Sequence, residues 1–183
     1  MLAVRPHCNR AVLSAFLSAC MNIAVASCLL SVTCANAQFE KTPWPASAKP
    51  LSGTFKDSSG QTLTAESLKG KKLVINFWAT WCAPCKEELP TLQVFSDLQD
   101  PQKTVVLTIN VKEPSSRALR FMQTNQISLP LIPDPQGEWA KQFDIKVFPT
   151  TLLVAPSGRI QWRIVGEVDW SSQTPQTWVD SLR

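Results

Sequence analysis

Apolar positions fall along the chain in two different periods. Leu73 to Trp78 reads Leu-Val-Ile-Asn-Phe-Trp and Thr104 to Ile109 reads Thr-Val-Val-Leu-Thr-Ile, near-continuous β-formers of the kind buried on both faces of a sheet. They predict central, parallel strands. Between them Cys85, Leu89, Leu92, Phe95 and Leu98 recur at spacings of four and three, the stripe of an amphipathic helix crossing from one strand to the next. Pro90 predicts a kink in that helix. A second helix is expected at about Ser116 to Asn125, with Ala118, Leu119, Phe121 and Met122 on its apolar side, and a short one carries Trp139 and Phe143 at i, i+4. Thr151 to Ala155 reads as a strand and Pro156-Ser157-Gly158 as a tight turn. Ile160, Trp162 and Ile164 then alternate with Gln161 and Arg163 in a half-exposed, antiparallel partner. Thr54 to Asp57 and Gln61 to Leu63 suggest two short strands around Ser58-Ser59-Gly60. At the C-terminus Thr174 predicts a helix N-cap with Pro175 at the first helical position, and Trp178 and Leu182 face one way. The alternation of strands and helices predicts an α/β fold.

The N-terminal pattern is of another kind. No charged residue lies between Arg10 and Glu40, and the run follows a basic patch of Arg5, His7 and Arg10 and ends in Ala35-Asn36-Ala37. It reads as an export signal over residues 1–37, with Gln38 as the new N-terminus after cleavage. Two rival readings stay open. The run is long enough to span a bilayer, which takes about 20 residues, and Leu17-Ser18-Ala19-Cys20 and Val25-Ala26-Ser27-Cys28 resemble lipoprotein cleavage boxes. All three place the domain outside the cytoplasm. Residues 38–52, with Pro43, Pro45 and Pro50, suit a linker or a loosely docked arm, which leaves a single domain over residues 53–183. The 18 Lys and Arg exceed the 14 Asp and Glu by a formal +4, two of those charges being Arg5 and Arg10. No block of five basic residues occurs, and basic residues are not interleaved with aromatics, so a nucleic-acid groove is excluded.

Loss of the signal changes the cysteine arithmetic. Cys8, Cys20, Cys28 and Cys34 would leave with it, and Cys82 and Cys85, separated by Ala83 and Pro84, are all that remain. A Cys-x-x-Cys where a buried strand gives way to a helix puts the first sulfur at the helix N-terminus, where free amides and the helix dipole favour a thiolate. Cys82 is therefore the candidate nucleophile. Cys85, one turn inward, can attack a mixed disulfide at Cys82 and release its partner reduced. Three other uses of the pair fit less well. Zinc needs about four ligands, and His7 is the sole histidine. A structural disulfide over so short a loop constrains the unfolded chain little. Copper carriage calls for a His or Met beside the thiols.

The segment Asn76-Phe77-Trp78-Ala79-Thr80-Trp81-Cys82-Ala83-Pro84-Cys85-Lys86-Glu87-Glu88-Leu89-Pro90, with Asn110-Val111, Pro133-Asp134, Val147-Phe148-Pro149-Thr150-Thr151 and the Gly158 hairpin, resembles the TlpA/ResA-like thiol–disulfide oxidoreductases of the thioredoxin superfamily. The resemblance runs from about Leu51 to Leu182. It implies a thioredoxin-like fold, a central mixed β-sheet flanked by helices with an extra helix-containing insertion. It also implies a turn at Pro133-Asp134, a cis peptide bond before Pro149, and a substrate groove of Trp81, Ala83, Pro84, Phe148 and Pro149. Glu88 matches an acidic residue that such proteins carry on this helix, which makes it a candidate catalytic residue beside Cys82 and Cys85; without the resemblance it reads as a solvated surface charge. Asn76 stands where thioredoxin has a buried Asp, and is read as structural. Trp78 is expected to be buried and Trp81 to shield the disulfide. The implied activity is thiol exchange with no metal and no organic cofactor, in a periplasmic monomer, either free or tethered to the inner membrane. Its direction is reduction of protein disulfides, in apocytochrome c or a copper-site assembly factor, with a membrane electron donor for re-reduction. A disulfide-introducing oxidase and a thioredoxin-fold binding module or copper carrier are the alternatives.

Overall fold

The computed structural model describes residues 39–183; the expected export signal over residues 1–37 lies outside them. The elements are β1 (Phe39–Pro43), β2 (Thr54–Lys56), β3 (Thr62–Thr64), β4 (Lys72–Trp78), α1 (Ala83–Asp97), β5 (Thr104–Val111), α2 (Ser115–Thr124), β6 (Leu131–Asp134), α3 (Glu138–Gln142), β7 (Thr150–Val154), β8 (Ile160–Gly166) and α4 (Gln173–Asp180). No helix among the described residues is long and apolar enough to cross a membrane.

Among the described residues, six strands form one mixed sheet in the order β1-β8-β7-β4-β5-β6, and β2 pairs with β3 apart from it. β4 and β5 are parallel and central, with α1 as the crossover, and β7 runs antiparallel on the other side of β4. The period of two along β4 divides the core. Val74 and Trp78 join Cys82, Cys85, Leu89, Leu92 and Phe95 of the α1 side, with Ala118 and Met122 of α2 and Val179 of α4. Leu73, Ile75 and Phe77 face the opposite way, against Phe55 of β2, Leu107, Ile109 and Ala140 of α3. The sheet is thus covered on both faces, which is why β4 is buried at every position from Leu73 to Trp78. Asn76 shares the face of Val74 and Trp78, so the same alternation turns a polar residue towards α1.

Three expectations are corrected. Residues 39–43, expected within the linker over 38–52, form β1 and pair with β8 along their length. Phe39 packs edge-on against Trp178 at 5.3 Å, and the Lys41 ammonium lies 3.1 Å from the centre of the Trp162 ring. Pro43 signals a spacer in the sequence, but a proline at the end of an edge strand removes no bond the sheet needs. The same rule explains β6, which replaces the expected Pro133-Asp134 turn: Pro133 sits inside the other edge strand, opposite Asn110. α4 begins at Gln173 with Ser172 as its N-cap, so Thr174 is not the cap and Pro175 is the third residue, still within the first turn where no intrahelical N–H bond is lost. The remaining strands and helices lie within a residue or two of where the pattern puts them.

Candidate active site

β4 ends at Trp78, and four residues later Cys82 is the N-cap of α1 in an extended conformation, with Pro84 in the first turn. Cys82 Sγ accepts a hydrogen bond from the Cys85 N–H at 3.2 Å, a sulfur doing the work of a capping oxygen. Cys82 and Cys85 are joined by a disulfide. Cys82 keeps 6% exposure and Cys85 none, so access differs between the two sulfurs in the expected order, although neither stands free. Ala83 and Pro84 are exposed. Trp81 is 57% exposed and sets its ring edge-on to Phe148 at 5.5 Å, which brings together the two loops of the expected groove. The Phe148–Pro149 peptide bond is cis. Pro149 itself is buried, and its loop is held by bonds from Thr150 Oγ1 to the Val147 carbonyl and from the Gly166 N–H to the Pro149 carbonyl. Trp78 is fully buried, as expected.

Glu88 is 1% exposed, which removes its reading as a surface charge. It follows Cys85 by three residues on the buried stripe of α1 and so lies one turn further on along nearly the same face. Its Oε1 accepts from Trp170 Nε1 at 2.6 Å and its Oε2 from Asn76 Nδ2 at 3.3 Å. Asn76 Nδ2 also donates to Thr151 Oγ1, its register partner on β7. Burial pushes the Glu88 carboxyl up to about 8, against the opposing hydrogen bonds of Trp170, Asn76 and the Val168 backbone, and the charge of Glu167 adds to the rise. Asn76 is thus a partner of the site.

Two contributors escape a reading of the sequence. Trp170, which caps Glu88, lies 82 positions away from it, in a loop before α4 with no periodicity to mark it. Glu113, buried in the loop after β5, accepts from the Thr80 N–H at 2.7 Å and from Asn110 Nδ2 and Thr80 Oγ1 at 2.5 Å. It ties down the backbone two residues before Cys82. The available signal was positional: β4 and β5 are parallel neighbours, so the loops past their carboxyl ends must adjoin, and an acidic residue just past β5 belongs at that rim. No group of three or more His, Cys, Asp or Glu side chains suited to a metal is gathered among the described residues.

Comparison with known proteins agrees with this geometry. Residues 46–163 match the AhpC/TSA family. The chain is 31% identical over 130 residues to the sporulation thiol-disulfide oxidoreductase A of Bacillus subtilis, covering 69% of this chain and 76% of that one. It is 30% identical over 112 residues to the thiol-disulfide oxidoreductase ResA of the same organism, covering 61% and 63%. The crystal structure of StoA from B. subtilis superposes with a TM-score of 0.62 at 28% identity, over 72% of this chain and 98% of that one. With a thioredoxin-like sheet, a Cys-x-x-Cys disulfide at the head of its first crossover helix and relatives of this kind over most of its length, the chain belongs to the AhpC/TSA family and is a thiol–disulfide oxidoreductase.

Proposed function

We propose that this enzyme is an exported reductase of protein disulfides, acting in the periplasm. The direction follows the thiol-disulfide oxidoreductases this chain resembles; the observation that carries the exchange chemistry is the asymmetry of the pair, since Cys82 caps α1 next to Trp81 while Cys85 is fully buried one turn inward. In the reduced enzyme the Cys82 thiolate attacks one sulfur of a substrate disulfide, forming a mixed disulfide and expelling a substrate thiolate that takes up a proton. Cys85, as thiolate, then attacks Cys82 Sγ, the mixed disulfide breaks, and the second substrate sulfur leaves reduced. Two electrons pass to the substrate and the Cys82–Cys85 disulfide is left, with no metal or organic cofactor. Cys85 must lose its proton in the second step. Glu88, one turn on along nearly the same face, is the group assigned to take that proton; its carboxyl is held up to about 8 and accepts a proton only once ionised, so this step should quicken as pH rises towards that value. Apocytochrome c or a copper-site assembly factor fits as substrate, with a membrane donor to restore the thiols; this follows the resemblance to ResA-like proteins.

Thiol trapping tests the assignment. Cys85→Ser should accumulate a mixed disulfide through Cys82, and alkylation of the reduced enzyme should label Cys82 first; labelling of Cys85 first would reverse the roles. Glu88→Gln should simplify the pH profile of exchange, whereas Glu87→Gln, exposed on the same helix, should leave it as it is. Equilibration with a redox buffer separates the directions: a strongly negative potential supports the reductase, a high one an oxidase, and copper retention without turnover a binding module.

A further inference from the structure

A cavity of about 490 Å³ opens beyond the end of β5, bounded by the turn between β6 and α3 and by the loop that leads to Pro149. Ala140, Ile145 and Phe148 are among its apolar lining, and three lysines, Lys112, Lys141 and Lys146, line it with a single acidic residue, Asp144. Lys146 pairs with Asp144 at 2.9 Å. Among the described residues neither Lys112 nor Lys141 has an acidic partner at salt-bridge distance, so the cavity presents positive charge that its own walls do not balance.

The backbone that builds this mouth is unusual. Three described residues other than glycine have positive φ, and two of them, Lys112 at 57° and Asp144 at 51°, line this one cavity. Such conformations gather at sites that bind or react. Gly137, also at positive φ, leaves the lysine room: a Cβ there would stand 3.0 Å from Lys112 Cε. Phe148 links the cavity to the exchange site, because the same ring that lines it meets Trp81, the neighbour of Cys82. A substrate chain held at Cys82 and running past Trp81 and Phe148 enters the cavity within a few residues, since an extended chain advances about 3.3 Å per residue.

We propose that this cavity is a specificity subsite for an acidic segment flanking the cysteine of a protein disulfide substrate, with Lys112 and Lys141 receiving its carboxylates. The inference rests on the exchange chemistry proposed above and adds to it a choice among disulfides. The test measures reduction of two disulfide-linked peptides that differ only in the residues flanking cysteine, Asp and Glu in one and Lys in the other, each rate divided by that of a small uncharged disulfide. The acidic peptide should react about tenfold faster at low salt, and the advantage should shrink as the Debye length falls to about 10 Å at 0.1 M ionic strength. In Lys112→Gln/Lys141→Gln the ratio should drop towards one; glutamine suits position 112, since Gln126 itself holds φ 56°. Equal normalised rates in the unaltered enzyme, or a preference that survives salt and the double substitution, would overturn the subsite. Failure to reduce all three disulfides would instead overturn the exchange reading, and the subsite with it.

Discussion

A carboxylic acid with 1% of its surface exposed, held by a tryptophan and an asparagine, keeps its proton far above the ordinary range, and Glu88 does so up to about 8. The consequence for stability has a definite sign. Below about 4.5, the ordinary value of the group, both folded and unfolded chains hold the proton and the burial carries no charge. Between about 4.5 and 8 the unfolded chain ionises while the folded one does not, so stability falls as pH rises, by up to about 1.4 kcal/mol per pH unit from this group. Denaturant unfolding across that window should show the slope reduced in Glu88→Gln relative to the unaltered enzyme; parallel profiles would place the proton on another residue. Asn76 Oδ1 is buried without a hydrogen-bond partner, while its Nδ2 bridges Glu88 and Thr151. At this scale the cysteines were legible in the chain, and the Phe148–Pro149 pair and Glu88 only through the resemblance to related proteins. Trp170 and Glu113 were not, because the contacts that bring them to the site, Trp170 to Glu88 and Glu113 to Thr80, span 82 and 33 positions and no local pattern links residues so far apart.

Elements show a different limit. β4, β5 and β7 follow from short runs of β-formers buried on both faces, and both larger helices from an apolar stripe that must repeat at 3.6 residues. The two edge strands do not, because an edge strand hydrogen-bonds on one side only and tolerates the prolines, Pro43 and Pro133, that argue against a strand in the sequence. β1 is more than a spacer in energetic terms. The Phe39–Trp178 contact is of a kind worth about 0.5–1.5 kcal/mol beyond area burial, and Lys41, whose pKa is lowered by its burial over Trp162, adds about 0.5–1 kcal/mol. A chain shortened to begin at Gly53 should therefore unfold at lower urea, by about 2–4 kcal/mol once the lost apolar burial is included. It should also associate more readily, because β8 then becomes an uncovered edge. Equal stability of the long and short chains would reduce β1 to a loosely docked arm.

For the molecule as a whole, strand direction decides where chemistry can occur. β4 and β5 run parallel and end at one edge of the sheet, and β7, antiparallel to β4, begins there, with Thr150 opposite Phe77. The loops carrying Cys82, Glu113 and Pro149 consequently converge without any of them belonging to the scaffold. The disulfide should then be an addition to a fold that stands without it. Closing a loop of four residues removes only about 2 kcal/mol of unfolded-chain entropy, less than the 5–15 kcal/mol by which domains of this size are folded. Reduction should leave the far- and near-ultraviolet circular dichroism of the enzyme nearly unchanged and lower its melting temperature by about 5–10 °C. The sign carries the functional conclusion through linkage. A dithiol–disulfide pair whose oxidised form is the more stable resists reduction and has a low potential, as a reductase requires, whereas an oxidant gains its power from a stabilised reduced form. Melting of the two forms side by side therefore decides direction independently of any substrate: a reduced enzyme that melts above the oxidised one would overturn the reductase and make this chain a donor of disulfides.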